Sequence, residues 1–286
     1  MKAVSALRVP LNTDLGPFVA LLRTWQVPHR VSEEAGEQVL WVPDEALAEQ
    51  VRAAYRRFER EGLPDDLELL APPKPKGSAI AQLRQSPYTC VLLLVTFIVA
   101  AITLLGDNLT AVAWLSFNDF HADGAYAYFV PVEHSFAQGQ WWRLITPMFV
   151  HFGVLHLAMN SLWIWELGRR VEARQRGLGL IGLVLLFALI SNTAQYLYSG
   201  PSIFGGLSGV LYGLLGHCWL FGRIAPCAAY QLPRGVVAMM LIWLVVCMTG
   251  VFEALGIGAI ANAAHLSGLV MGCLTGSLMG LLARRV

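Results

Sequence analysis

Charge is scarce in this chain. Asp, Glu, Lys and Arg make up 14% of its 286 residues against 56% hydrophobic residues, with a mean hydropathy of +0.56. Soluble domains carry about 25% charged residues, so a soluble globular protein is excluded and a membrane protein is indicated. The net charge of +1 sets up too weak a field to hold a polyanion, which argues against nucleic acid as a partner. Cysteine is sparse too: Cys90, Cys218, Cys227, Cys247 and Cys273 all lie in the apolar part, with no CxxC spacing. That excludes a disulfide framework and leaves them as packing residues. An HExxH helix, the mark of a zinc protease, is missing, because "HFGVLHLAMN" spaces its histidines by five with no glutamate between. Two aspartates within apolar spans, which an aspartyl protease needs, are missing as well. So are an internal repeat and the charged midplane path of a solute transporter. No metal and no cofactor is expected.

What is present falls into two parts. Residues 1–70 hold charge runs such as "RRFEREG" and read as a strand in "AVSALRV", a helix in "LGPFVALLRTW", strands in "HRVSEE" and "EQVLWV", and a helix in "DEALAEQVRAAYRRFEREG". This is a small α+β domain. It has one histidine, no cysteine and no glycine-rich loop, so it reads as a non-catalytic appendage; a regulatory role is the alternative. Its first residues, "MKAVSALRVPLNTD", turn polar too soon for a signal peptide, which keeps the domain in the cytoplasm. Residues 71–87, "APPKPKGSAIAQLRQSP", read as a linker.

Residues 88–286 are the membrane domain. A spanning helix needs about 20 apolar residues, and six candidates lie near 88–106, 146–168, 177–197, 206–222, 234–252 and 260–282. Arg169, Arg170, Arg174, Arg176, Arg223, Arg234, Arg284 and Arg285 gather on the side of the N-terminal domain, whereas the opposite loops carry Asp107, Asp119, Asp123, Glu133 and Glu253. The positive-inside rule places both termini in the cytoplasm. The loop from about 107 to 145, with "AWLSF", "AYAYFV" and "WWRL", belongs in the outer interface, where aromatic rings with polar tips are favoured. Two readings stay open for it: an anchoring hairpin, or one that touches substrate.

Against this apolar background a few polar residues stand out. At about 1.5 Å per residue, Ser208 of "FGGLSGVLYG" falls in the first turn of the fourth span and His265 about 8 Å into the sixth. By the same measure His156 and Asn160 lie about 15 to 20 Å down the second. Polar groups at such depth are costly and mark function. Gly205, Gly209 and Gly213 form one small-residue stripe and Ala264, Gly268, Gly272, Gly276 and Gly280 another, which lets the fourth and sixth spans approach closely. Ser208 and His265 flank those stripes, so a hydrogen bond between them is expected, with Tyr212 one turn below Ser208 to pack on the imidazole. A serine needs a base, and neutral histidine suits pH 7. No carboxylate is near, so a dyad is expected. The Ser208 amide, Asn160 and His156 are candidate oxyanion donors. His151 and His217 read as structural.

"GLSG" opening the fourth span, "HFGVLHLAMN", "ANAAHLSGLVMG" and the "WWRL" that ends the first loop together resemble the rhomboid intramembrane serine proteases, in their bacterial form with a small N-terminal domain. The resemblance covers residues 88–286. It implies a six-transmembrane-helix bundle in the bacterial inner membrane, with Ser208 as nucleophile, His265 as general base, and His156, Asn160 and the Ser208 amide as oxyanion hole. Gly206, Gly209, Gly268 and Tyr212 would support the site, and Trp142 and Arg143 match a structural pair of the first loop. It also implies substrates: single-span membrane proteins cut near the outer end of their helix, entering laterally from the lipid. The cap would be 250–262 and the gate the fifth span. A catalytically dead relative that escorts membrane proteins is the other reading; loss of Ser208 or His265 would mark it, and both are present.

Overall fold

A computed structural model describes residues 4–25, 27–61, 79–124, 126–255 and 259–284. Positions 71–78 of the expected linker and 256–258 of the expected cap lie outside them. The chain divides into two compact units, Met1–Gly77 and Ser78–Val286.

The first unit runs β1 (Val4–Pro10), α1 (Gly16–Thr24), β2 (Arg30–Glu34), β3 (Glu37–Val42) and α2 (Glu45–Glu61), the order the sequence pattern predicts. The antiparallel sheet has the order β1-β3-β2. β2 and β3 meet at a two-residue turn, Ala35 and Gly36, both at positive φ (51° and 83°), as the twist of a tight hairpin requires. Phe18, Leu22, Leu40 and Ala48 are fully buried between sheet and helices. α2 starts where Asp44 accepts the Leu47 amide at 2.9 Å, satisfying an end donor that has no helical partner.

The second unit is mostly helical. It begins with α3 (Ala79–Gln85) and α4 (Pro87–Ile102). The loop that follows holds α5 (Leu109–Leu115), a hairpin of β4 (Phe120–Asp123) and β5 (Tyr126–Phe129), α6 (Val132–Ala137), and two 3-10 turns at Trp141–Leu144 and Thr146–Phe149. Then come α7 (Val154–Ser199), α8 (Ser208–Ile224), α9 (Arg234–Met248), α10 (Val251–Ala254) and α11 (Asn262–Arg284). Among the described residues, α7 and α11 are long and apolar enough to cross a membrane, and α4 and Gly235–Met248 are apolar but shorter. α7 breaks at Arg176, where φ is 64° and ψ 172°, so the expected spans 146–168 and 177–197 are two helical runs joined at one residue.

The first of those runs begins later than the periodicity predicts. Pro147 lies in a 3-10 turn and Gly153 sits at φ 89°, so regular helix starts only at Val154. His156 and Asn160 therefore occupy the first two turns of α7, closer to its start than the sequence pattern predicts.

The unit is apolar inside, with Leu167, Leu180, Phe187 and Leu214 fully buried, and apolar outside as well. Leu94, Phe97 and Ile98 of α4, Ile242, Trp243 and Val245 of α9, and Val270, Leu274 and Leu278 of α11 point outward, while glycine fills the helix contacts. A Cβ on Gly268, Gly272 or Gly276 would enter the carbonyls of Gly209, Gly213 and His217 in α8. The two expected stripes do bring α8 and α11 together, Gly268 on Gly209 and Gly272 on Gly213, but the α8 glycines also face α7. A Cβ on Gly209 would meet Ser191 of α7 at 2.6 Å, and one on Gly213 would enter the Phe187 ring of α7. Gly209 and Gly213 thus serve two contacts, backbone to α11 and open space to α7, while Gly205 precedes the helix altogether. Glu172 of α7 joins α4 to this core: its buried carboxylate accepts from the Tyr88 and Thr89 amides at 2.9 and 2.8 Å and from the Thr89 hydroxyl at 2.7 Å, an anion where the helix dipole favours one.

Candidate active site

The contact between α8 and α11 positions the centre of the site. Ser208 is the first residue of α8, so its amide has no partner in the helical ladder. Its hydroxyl lies 2.8 Å from His265 Nε2. His265 is 6% exposed, and its Nδ1 has no hydrogen-bond partner among the described residues. The Tyr212 ring packs on the imidazole at a centroid distance of 5.1 Å and 42°. The Tyr212 hydroxyl donates to the Met240 carbonyl at 3.1 Å, tying α9 to α8. At the start of α11, the Asn262 side-chain amide donates to the Cys247 carbonyl at 3.1 Å.

The segment leading into Ser208 wraps the second group of candidates. Gly206 has φ 112° and donates its amide to the Pro147 carbonyl at 3.0 Å. A Cβ at Gly206 would fall 2.7 Å from His156 Cε1 and 2.8 Å from His156 Nε2, so the imidazole lies directly over this glycine. His156 Nδ1 accepts the Phe152 amide at 3.5 Å, which directs the Nε2 hydrogen toward Gly206 when the ring is neutral. Asn160 is buried; its side-chain amide donates to the His156 carbonyl at 2.8 Å, and its Oδ1 has no partner among the described residues. The structure thus gathers Ser208, His265, Tyr212, Gly206, Gly209, Gly268 and His156 in one region, with Asn160 one turn below His156.

Trp142 and Arg143 lie elsewhere, inside the first loop. Arg143 is 1% exposed; it donates to the carbonyls of Ala113 at 2.6 Å and Ser116 at 2.9 Å and to Gln140 Oε1 at 2.7 Å, and pairs with Asp119 at 3.1 Å. Burial pulls its guanidinium below the ordinary arginine value, and Asp119 opposes that shift. Trp142 stacks on Trp114 at 4.8 Å and donates its indole hydrogen to the Trp114 carbonyl at 3.1 Å. Both residues fold the loop.

Three side chains outside the expected set brace the segments that surround Ser208 and His265. His151 is fully buried; its Nδ1 bonds the Phe149 carbonyl at 3.0 Å, which leaves Nε2 to accept the Leu207 amide at 3.5 Å, one residue before Ser208. The Gln195 carbonyl oxygen accepts the Ala264 amide at 3.1 Å, one residue before His265. Asn192 donates to the Leu144 carbonyl at 2.9 Å. A histidine in a stretch that Pro147 and Gly153 keep out of helix was the available clue to His151; Gln195 and Asn192 look like ordinary helix polar residues.

Comparison with known proteins gives this geometry its context. A family described as Rhomboid domain matches residues 138–281, and one described as Rhomboid N-terminal domain matches residues 1–65. The "Rhomboid protease GlpG" of Serratia proteamaculans (strain 568) is 34% identical over 271 residues, covering 90% of each chain. Proteins of the same description from Salmonella typhi and Salmonella newport (strain SL254) are each 34% identical over 254 residues, 84% of each chain. The chain belongs to the rhomboid family. Its activity is that of an intramembrane serine protease.

Proposed function

We propose that Ser208 and His265 form the catalytic dyad of this protease, and that Ser208 Oγ attacks the scissile carbonyl of a transmembrane protein. The observation that carries this reading is the 2.8 Å separation of Ser208 Oγ and His265 Nε2 in a buried helix contact. His265 Nε2 takes the serine proton as Oγ bonds to the carbonyl carbon, then hands that proton to the departing amine. Water, activated by the same imidazole, hydrolyses the acyl-enzyme and frees Ser208. His265 works without a carboxylate orienter, a reading supported by the partnerless Nδ1.

The developing oxyanion is held by the Ser208 amide at the start of α8, His156 Nε2 and Asn160. The helix end supplies a donor and favourable dipole, and the position of His156 over Gly206 supports its share. Asn160 reaches the oxyanion with the amide hydrogen that its bond to the His156 carbonyl leaves over.

Residues 88–286 form the protease domain, with six spans built from α4, the two runs of α7, α8, α9 and α11. Residues 1–70 are a cytoplasmic domain joined by a linker over 71–87. The protein sits in the bacterial inner membrane with both termini in the cytoplasm. Substrate enters past α9, whose outward apolar face and few polar ties to α8 and α11 suit a gate, and 250–262 cap the site.

Cleavage of a single-span model substrate in liposomes tests this reading. Wild type should cut near the outer end of the substrate helix, with or without a metal chelator, and Ser208→Ala and His265→Ala should not. Cleavage that survives Ser208→Ala would overturn the dyad.

A further inference from the structure

α8 and α11 run parallel and touch through their backbones. Gly268, Gly272 and Gly276 sit in turn on the carbonyls of Gly209, Gly213 and His217, a contact that repeats every four residues on both helices. Such a contact sets how closely the helices approach but not their register, because sliding α11 by four residues lays glycine on carbonyl again. Two side-chain bonds break that repetition. One is Ser208 with His265; the other, at the opposite end of the interface, joins His217 Nδ1 to Thr275 Oγ1 at 3.0 Å. Along α8 they are separated by about 13 Å.

The second bond is fully specified by its neighbours. The Thr275 hydroxyl donates to the Gly272 carbonyl at 3.0 Å, so Thr275 Oγ1 can only accept from His217 Nδ1–H. His217 Nε2 then accepts from the Gln175 side-chain amide at 2.6 Å. Gln175 lies next to the α7 break at Arg176, so a single imidazole ties three helices. His217 is fully buried, with the Phe221 and Tyr230 rings at 6.1 and 5.8 Å.

We propose that His217 is a positioning residue of the protease: bonded to Thr275 and Gln175, it locks the register of α8 against α11 and so holds Ser208 opposite His265. The inference rests on the dyad assigned above. Its logic follows from the chemistry of that dyad. While Ser208 Oγ is bonded to the substrate acyl carbon, it has no proton to give His265 and the upper tie between the helices is lost. The unreactive lower tie keeps the imidazole in place for deacylation. Buried polar groups that fix register in otherwise repetitive helix contacts are well attested.

The rate constant for acylation of Ser208 by a fluorophosphonate, measured on fully folded protein in liposomes, tests the lock. Thr275→Val removes the acceptor with little change in shape and should slow acylation by about tenfold or more, since small misplacements of reacting groups are costly. Thr275→Ser, which keeps the hydroxyl, should restore the rate. His217→Phe should cause a similar loss, and adding Thr275→Val to it should cause no further loss. Should Thr275→Val fold poorly, Gln175→Leu tests the other ring nitrogen with the same readout. Variants that melt earlier yet acylate at the wild-type rate when folded would overturn the proposal. Failure of wild type itself to acylate at Ser208 would instead overturn the dyad, so the two ideas fail separately.

Discussion

Gly268→Ala puts the helix contact beneath the site to a quantitative test. An alanine Cβ there would enter the Gly209 carbonyl oxygen, with the Gly209 carbonyl carbon at 3.0 Å and Cα at 3.4 Å. Every one of these atoms is backbone, so no side chain can rotate away, and α11 must move off α8 by about 1 Å to reach normal contact distance. Ser208 and His265 are 2.8 Å apart, and the same displacement would carry them beyond about 3.6 Å, where no hydrogen bond remains. Overpacking of this kind costs about 1 to 3 kcal/mol of stability, and a 1 Å misplacement of reacting groups about 100-fold in rate. The assay is kcat/KM on a single-span substrate in liposomes, together with thermal unfolding. Gly182→Ala is the control, because nothing lies within 4 Å of its Cβ position, and it should gain up to about 1 kcal/mol from the better helix former. A Gly268→Ala enzyme with wild-type kcat/KM would refute the claim that this backbone contact sets the geometry of the site.

Three further outcomes follow from individual positions. Gly206→Ala combines a φ of 112° with a Cβ 2.8 Å from His156 Nε2, so cleavage should fall by about 100-fold or more, measured beside a circular-dichroism spectrum that stays helical. Arg176 holds a φ and ψ of 64° and 172°, a region costly for any residue with a Cβ. Arg176→Gly should therefore raise the unfolding free energy by about 1 kcal/mol, read by denaturant titration in detergent. In the N-terminal unit, Ala35 occupies a left-handed turn position at φ 51°. Ala35→Asn should stabilise that hairpin by about 0.5 kcal/mol, visible as a higher melting midpoint reported by Trp41 fluorescence.

The parts of this protein that were readable in advance are those governed by local patterning. The strand and helix order of the N-terminal unit follows from alternation and helical periodicity in residues 4–61, and the pairing of Ser208 with His265 follows from depth along helices that begin where their first polar residues lie. The start of α7 was not readable that way. Residues 146–153 are apolar enough to extend the helix, but Pro147 and Gly153 replace it with 3-10 turns and a loop. That brings His151 to the Leu207 amide and His156 over Gly206, relations between segments some fifty residues apart in sequence. Glycine spacing announced close helix contact, yet which face met which neighbour depended on three-helix packing: α11 glycines meet α8 carbonyls, whereas Gly213 makes room for Phe187. The bonds of His217 to Gln175 and Thr275 are of the same kind, since each partner alone is an unremarkable polar residue in an apolar helix.

The most direct test of the central claim is peptide mapping of the covalent adduct formed when the membrane-embedded enzyme reacts with a fluorophosphonate. The dyad predicts a single modified peptide carrying the adduct on Ser208, and a rate of modification that collapses in His265→Ala. An adduct on a different serine, or a His265→Ala enzyme labelled at Ser208 as fast as wild type, would contradict it.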